Sequence, residues 1–377
     1  MSWETTKLKT ISLIKTGKLD SNAAVPNGIY PFFTCDPNTL SINNWAYDTE
    51  AILLAGNNAN GNYTAKYYCG KFNAYQRTYI IESANTELLN VRFLSYAMNQ
   101  QLQLLKTMSS GSTTKFLTIR MLHDLDIPLP PIETQQRIAD LLSAYDNLIE
   151  NNQKQIKLLE EAAQRLYKEW FVDLRFPGYK DTSVVDGVPE GWRKTTLQNI
   201  CTLKKQVITP DKITQGLPYI GLEHMPRKDI CLSNWGDSSE VNSNKFLYQE
   251  RDILFGKIRP YFHKVGFALN SGVASTDSII LNANSGVWGL LLMTVSSTEF
   301  VDYTYQTCKE GSKMPRADWN QMKKYSVLIA TGSIQSKFEN TVGCIAKQIK
   351  ILAIQNRKLS EARDRLLPKL MSGEVEV

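Results

Sequence analysis

Residue types that carry catalysis or bind metals are few and scattered in this chain of 377 residues. Its three histidines, His123, His224 and His263, stand far apart, and none belongs to a His-Glu-x-x-His pair. Six cysteines lie at positions 35, 69, 201, 231, 308 and 344 with no Cys-x-x-Cys spacing. This argues against zinc and disulfides, and for a reducing, cytoplasmic setting. No apolar run approaches the ~18 residues of a membrane span. The opening Met-Ser-Trp-Glu lacks the basic-then-apolar pattern of a signal peptide. There is no Gly-x-Gly-x-x-Gly and no Gly-x4-Gly-Lys-Ser/Thr phosphate loop. The Asn/Asp-Pro-Pro-Tyr/Phe signature of amino-methyltransferases is missing, as is a nuclease-type carboxylate cluster. No catalytic residue, no metal site and no cofactor are therefore expected in this chain. Tyrosine, tryptophan and side-chain amides are plentiful, a balance that favours binding over catalysis.

What the chain does have is a repeat with copies 200 residues apart. Gly111-Ser112 returns as Gly311-Ser312, and Gln135 as Gln335. Ile149, Gln155, Leu159, Glu161, Ala162, Arg165 and Leu166 return as Ile349, Gln355, Leu359, Glu361, Ala362, Arg365 and Leu366. A second echo opens each half: Trp3-Glu-Thr-Thr-Lys-Leu8 resembles Trp192-Arg-Lys-Thr-Thr-Leu197. Each half is thus a variable globule followed by a matched segment. Duplication on this scale suggests two equivalent arms, although a duplicated fold with a single working site would leave the same trace.

The matched segments read as long helices with a seam. In the first, Ile138, Leu142, Tyr145, Ile149, Asn152, Ile156, Leu159, Ala163, Leu166 and Trp170 alternate steps of four and three. The second gives Phe338, Val342, Ile345, Ile349, Leu352, Asn356, Leu359, Arg363, Leu366 and Leu370. This is the 3.5-residue period of a coiled coil. Each seam carries one asparagine, Asn152 and Asn356. Parallel pairing leaves both amides unpartnered, and a buried unpaired amide costs about 1–3 kcal/mol. Antiparallel pairing in which residue numbers sum to 508 sets Asn152 against Asn356 and aligns every other seam position. The helices are therefore expected to run antiparallel with the asparagines fixing the register, unless both amides face solvent.

Boundaries follow. Pro128, Pro130 and Pro131 end the first globule and open the first helix. Ser333 is a fair cap for the second helix. Pro368 should kink or stop that helix, which makes Leu370 against Ile138 the weakest layer. The expected division is 1–130 globule, 131–176 helix, 177–190 linker, 191–330 globule and 331–377 helix. The fold class is α+β, with two pseudo-repeated mixed globules separated by two long antiparallel coiled-coil helices. The net charge is +6. It is uneven: the globules are basic and the first helix is acidic, so that helix suits a protein partner better than phosphates.

The globules supply candidate nucleic-acid contacts. In the first, Gly56-Asn-Asn-Ala-Asn-Gly-Asn-Tyr63 offers Asn57, Asn58, Asn60, Asn62 and Tyr63, with Lys66 just beyond. Asparagine can make paired donor and acceptor contacts to adenine, yet Asn and Gly also dominate plain turns. Next come Tyr75, Gln76 and Arg77 at the entry to a strand. In the second globule, Asp252-Ile-Leu-Phe-Gly-Lys-Ile-Arg-Pro-Tyr-Phe-His-Lys264 places Lys257, Arg259, Tyr261, His263 and Lys264 together. That mixture suits phosphate and base-edge contacts, and equally a solvated basic strand. Ser275 and Thr276 occupy the counterpart of the Tyr75–Arg77 patch. The repeated Gly-Ser, with Ser112 and Lys115 in one copy and Ser312, Lys313 and Arg316 in the other, is either a phosphate-holding turn or an ordinary one.

A resemblance covers nearly the whole chain. The stretches Ile127-Pro-Leu-Pro-Pro-Ile-Glu-Thr-Gln-Gln136, Leu166-Tyr-Lys-Glu-Trp-Phe-Val-Asp-Leu-Arg-Phe176, Pro189-Glu-Gly-Trp192, Leu217-Pro-Tyr-Ile-Gly-Leu-Glu223, Asp252-Ile-Leu-Phe-Gly256 and Leu366-Leu-Pro-Lys-Leu-Met-Ser-Gly-Glu374 resemble, in order, the specificity subunits of type I restriction-modification enzymes. One departure is Ala330-Thr-Gly-Ser-Ile334, where the first copy has Pro-Leu-Pro-Pro-Ile. The resemblance implies two target recognition domains, each reading half of a split double-stranded DNA site with an unspecified gap. It implies helical spacers that act as a ruler and dock two methyltransferase subunits, with restriction/translocase subunits joining them. Adenine methylation and cleavage, with S-adenosylmethionine, ATP and Mg, would belong to those partners. A reading from another class is a coiled-coil scaffold that organises protein partners without touching DNA. The basic, amide-rich loops at matched places in both halves speak against it.

Overall fold

The echo between residues 3–8 and 192–197 becomes, in each half, a short strand followed by a tight turn into the core. The structure, a computed structural model, describes residues 3–58, 61–108, 115–308 and 314–377. The first half runs β1 (Thr5–Lys7), α1 (Leu8–Ile11), β2 (Ser12–Thr16), β3 (Tyr30–Phe33), β4 (Leu40–Ile42), β5 (Tyr47–Ala55), β6 (Asn57–Asn58), β7 (Ala65–Ala74), β8 (Thr78–Ser83), α2 (Val91–Met108), β9 (Lys115–Phe116), α3 (Ile119–His123), β10 (Asp126–Pro128) and α4 (Ile132–Tyr167). The second half holds β11 (Val184–Val185), β12 (Val188–Pro189), β13 (Arg193–Thr196), β14 (Cys201–Lys204), β15 (Val207–Ile208), β16 (Pro218–Ile220), β17 (Cys231–Leu232), β18 (Gly236–Asp237), β19 (Lys245–Tyr248), β20 (Ile253–Gly256), β21 (Val265–Ala268), β22 (Gly272–Ala274) and β23 (Ser278–Ala283). It closes with α5 (Trp288–Val295), α6 (Thr298–Gln306), α7 (Trp319–Met322), β24 (Ser326–Ile329) and α8 (Gly332–Ser372). Contacts divide the chain into two units, residues 1–148 with 359–377, and residues 149–358. Each long helix therefore contributes to both units, where the sequence reading kept the helices as separate segments.

In the first unit a six-stranded sheet runs β2-β8-β5-β7-β3-β4. The apolar run Ala51-Ile-Leu-Leu-Ala55 ends its central strand because that stretch is covered on both faces. Ile52 and Leu54 point to one side, where they join Phe93, Leu94 and Met98 of α2. Ala51 and Leu53 point to the other, into a cluster with Phe33, Phe72 and Ile80. Asn90 caps α2 by accepting from the Phe93 amide at 2.8 Å. β1 pairs with β10, and the Leu8 amide donates to the Leu125 carbonyl at 2.9 Å.

The second unit repeats this frame on two five-stranded sheets, β14-β23-β20-β21-β17 and β15-β19-β22-β16-β18. β13 pairs with β24, and the Leu197 amide donates to the Tyr325 carbonyl at 2.9 Å. Alternation recurs on β20: Ile253 and Phe255 enter the larger core and Leu254 the smaller. Gln135 and Gln335, both buried, stitch each helix start to the segment before it. Gln135 donates to the Pro130 carbonyl at 2.8 Å, and Gln335 accepts from the Ala330 amide at 3.2 Å.

Apart from the two asparagines and Arg363, the seam is mostly apolar within each unit. Ile138, Leu142 and Leu370 are fully buried in the first unit. In the second, Trp170 meets Phe338 with ring centroids 6.0 Å apart, and Asn152 donates to Asn356 at 2.9 Å. Three expectations are corrected. Pro368 does not stop α8, which continues to Ser372, and Leu370 and Ile138 are both fully buried. The proline sits on the exposed face, where water can serve the carbonyl that loses its partner. Ser333 lies inside the first turn of a helix that begins at Gly332, so it is not the cap. The first helix leaves regular geometry before residue 176: after Tyr167 it widens into a π turn, Lys168–Val172. Phe171 and Phe176 then both pack on Trp192, at 5.2 and 4.6 Å.

Candidate nucleic-acid interface

In the first unit the turn from β7 to β8 carries Tyr75, Gln76 and Arg77, and three backbone bonds fix it. The Tyr75 amide donates to Phe33, Gly56 donates to Arg77, and Leu117 donates to Gly56, at 2.8, 2.8 and 2.9 Å. Gly56 is required here, since a Cβ would lie 2.5 Å from the Arg77 carbonyl oxygen. These bonds bring the turn beside β6 and β9, which pair Asn57 with Phe116 and Asn58 with Lys115. Gln76 is exposed and donates to Asp20 at 2.7 Å. The Arg77 guanidinium stands 5.8 Å from the Phe116 ring. An open concavity of about 460 Å³ is bordered by Asp36, Asn57, Asn58 and Tyr75.

The second unit builds the same corner with other side chains. The Ser275 amide donates to Ile220, Lys257 donates to Asp277, and Ala317 donates to Lys257, at 2.9, 2.8 and 2.8 Å. Tyr75, Arg77, Phe116 and Leu117 thus correspond to Ser275, Asp277, Arg316 and Ala317, all at the 200-residue offset. Where β6 meets β9 in the first unit, a single bridge joins Ile258 to Arg316. Lys257, Arg259, Ser275, Thr276 and Arg316 therefore gather at one corner. Arg316 pairs with Asp277 at 2.9 Å. Tyr261, exposed, packs edge-on against Tyr305 at 5.3 Å.

Other candidates turn inward. Tyr63 and His263 correct the sequence reading: both are buried, so neither side chain can reach a duplex. His263 Nε2 donates to the Ser296 carbonyl at 2.8 Å. Lys264 is part-buried and donates to the Leu222 carbonyl; burial, with Arg227 nearby, pushes its pKa down. Lys66 donates to Thr39 and to the Asp36 carbonyl at 3.1 and 3.3 Å, and burial lowers its pKa too. Asn58 accepts from the Asn62 amide, and Asn62 from Lys106, so both serve the loop itself. Asn60, Ser112, Ser312 and Lys313 lie outside the described residues. Sequence reasoning missed Asp20, Phe116 and Asp277. The 200-residue offset was the available signal, because it sets Phe116 on Arg316 and Arg77 on Asp277.

Among the described residues, no group of three or more His, Cys, Asp or Glu side chains gathers as a metal site. Among the same residues, no helix is long and apolar enough to cross a membrane.

Two α+β units repeat one turn-and-strand corner, and each unit holds part of both long helices. Residues 1–161 match the family model described as the type I restriction modification DNA specificity domain. The chain is 28% identical over 359 residues to the type I restriction enzyme EcoDI specificity subunit of Escherichia coli, covering 87% of this chain and 77% of that one. It is 28% identical over 316 residues to the MjaIX specificity subunit of Methanocaldococcus jannaschii, covering 78% and 69%. Its fold is similar to the crystal structure of the type I restriction-modification S subunit from M. genitalium, with TM-score 0.67 and 17% identity over 98% of this chain and 96% of that one. Residues 1–161 thus resemble that DNA specificity domain, and most of the chain is similar to specificity subunits of type I restriction enzymes.

Proposed function

We propose that the chain reads a bipartite double-stranded DNA site, one block per unit, with an unspecified gap between the blocks. In this reading it directs adenine methylation and cleavage by two methyltransferase subunits and by restriction/translocase subunits in the cytoplasm. Those partners carry S-adenosylmethionine, ATP and Mg. The observation that carries the reading is the shared corner. The same three backbone bonds present 75–77 beside 115–116 in one unit and 275–277 beside 316 in the other. The frame is constant while the side chains differ, as two readers of two different sequences require. Arg77, Lys257, Arg259 and Arg316 supply cations for phosphates or guanine edges, and Gln76, Asn57 and Thr276 supply polar groups for bases.

Two measurements test this. Filter binding of random duplexes to the chain with its methyltransferase subunit should retain a sequence-selected fraction. Methylome sequencing of cells carrying the system should show two short specific blocks around unspecified base pairs. A single continuous motif, or no retained duplex, overturns the reading.

A further inference from the structure

A carboxylate on a surface that meets phosphates is unfavourable, because like charges repel. Asp277 nevertheless stands in the proposed reading turn of the second unit. Its Oδ1 accepts from Arg316 Nη1 at 2.9 Å, with the arginine side chain 53% exposed and the aspartate 35%. The backbone at both ends is pinned. The Asp277 carbonyl accepts from Lys257, and the Arg316 backbone is bridged to Ile258. Arg316 is thus held at the rim of the turn, its charge offset by a neighbour that occupies one donor. The matched pair in the first unit is Arg77 against Phe116, where the cation meets an uncharged ring. One cross-turn contact is present in both copies, but only the second pairs two opposite charges.

Building on the DNA-reading function, we propose that Asp277 is a positioning and masking residue: it holds Arg316 beside the reading turn and yields it to a DNA phosphate. Pairing fixes a long, rotamer-rich side chain where it is needed, which lowers the ordering cost on binding. It also neutralises the cation against non-specific DNA, since attraction to phosphates scales with the number of free cations. The exchange is a swap of partners: Arg316 stays charged, and Asp277 is left to water at a rim that is already open. The second unit is thereby the more discriminating reader, and the first, with Arg77 unmasked, the more adhesive.

The test uses the full chain with its methyltransferase subunit, random duplexes, and Asp277→Asn, Arg316→Gln and the double variant. Asparagine keeps an acceptor for Arg316 and removes the charge, so folding is preserved. Asp277→Asn should bind random duplex about tenfold tighter at low salt, with the slope of log affinity against log salt steeper by about 0.9, one more phosphate contact. Arg316→Gln should weaken binding and flatten the slope, and in the double variant the gain should vanish. A purely structural pair would leave the salt slope unmoved. Three results overturn the proposal: unchanged affinity and slope in Asp277→Asn, a gain that survives Arg316→Gln, or lost binding in Asp277→Asn, which would mean that the carboxylate itself accepts from a base. If the wild-type complex retains no duplex at any salt, the DNA-reading function fails instead.

Discussion

Asn152 and Asn356 meet side chain to side chain: Asn152 Nδ2 donates to Asn356 Oδ1 at 2.9 Å. Asn356 Nδ2 donates in turn to the Ile149 carbonyl at 3.2 Å. Asn152 is buried at 5% exposure, so its amide depends on this partner rather than on water. Slipping one helix by a seam step would set each amide against an aliphatic side chain. The pair therefore opposes alternative alignments through the cost of an unsatisfied amide.

Replacing Asn152 alone by Leu should destabilise the chain by about 1–3 kcal/mol, because it strands the Asn356 carbonyl oxygen. Asn356→Leu should cost at least as much, since two bonds are lost. The double Leu variant should cost less than the sum and recover most of the loss. A double-mutant cycle by chemical denaturation reads the coupling, and additive costs would show that the amides act independently.

The seam was legible because a 3.5-residue period is local and survives without knowledge of the neighbours. Pro368 was misread because its effect depends on which face of the helix it occupies, and the spacing of helix breakers does not tell that. Tyr63 and His263 were misplaced for a related reason: an aromatic or basic residue in a loop reads as a contact residue until the loop is seen folding over it. Asp277 and Arg316 are 39 residues apart. At the 200-residue offset Arg77 stands for Asp277 and Phe116 for Arg316, so the repeat marks the places while the side chains there differ in charge. The frame is written in recurring residues, whereas the reading side chains are those that differ.

Glu160 on α4 gives the second unit a pH dependence. The side chain is buried, and its Oε1 accepts from the Ile230 and Cys231 amides at 2.9 and 3.0 Å. Burial, with Asp229 adding repulsion, pushes its pKa up to about 7; Asp229 is itself raised by burial and eased by Lys157. A folded-state pKa above the unfolded value means that the folded chain binds the proton more tightly. Its contribution is therefore fully present below about pH 4.5 and is lost as pH rises through about 7. Glu160→Gln keeps the acceptor for both amides and removes the charge. It should raise stability at pH 8 by about 1–3 kcal/mol and flatten the decline between pH 5 and 7. Melting curves across that range would show an unchanged decline if another group were responsible.

Buried and exposed candidates should separate in the same assay. Tyr63 is buried, and its hydroxyl finds no partner among the described residues. Tyr63→Phe should leave duplex affinity unchanged and stability equal or higher by up to about 1 kcal/mol. His263→Ala removes the bond to Ser296 and leaves a void, so stability should fall by roughly 1–3 kcal/mol. Affinity, measured well below the melting temperature, should hold. A selective loss of DNA binding in Tyr63→Phe, with stability intact, would put the hydroxyl at the interface after all.

The sharpest test of two independent readers is a change confined to one turn. Tyr75, Gln76 and Arg77 are held by backbone bonds to Phe33, Leu19, Gly56 and Thr78, so their side chains can change while the frame stays. Replacing the three by Ala should relax recognition in one block of the methylated site and leave the other block's sequence as it was. Each lost base contact should cost about 1–3 kcal/mol, and the loss of a phosphate contact by Arg77 should flatten the salt slope by about 1. The mirror change at Ser275 and Thr276 should relax the opposite block. The expectation rests on each unit having its own core, so that a change at one corner is not passed to the other. Methylome sequencing of cells carrying each variant decides the matter: if either set of substitutions degrades both blocks together, the units do not read independently.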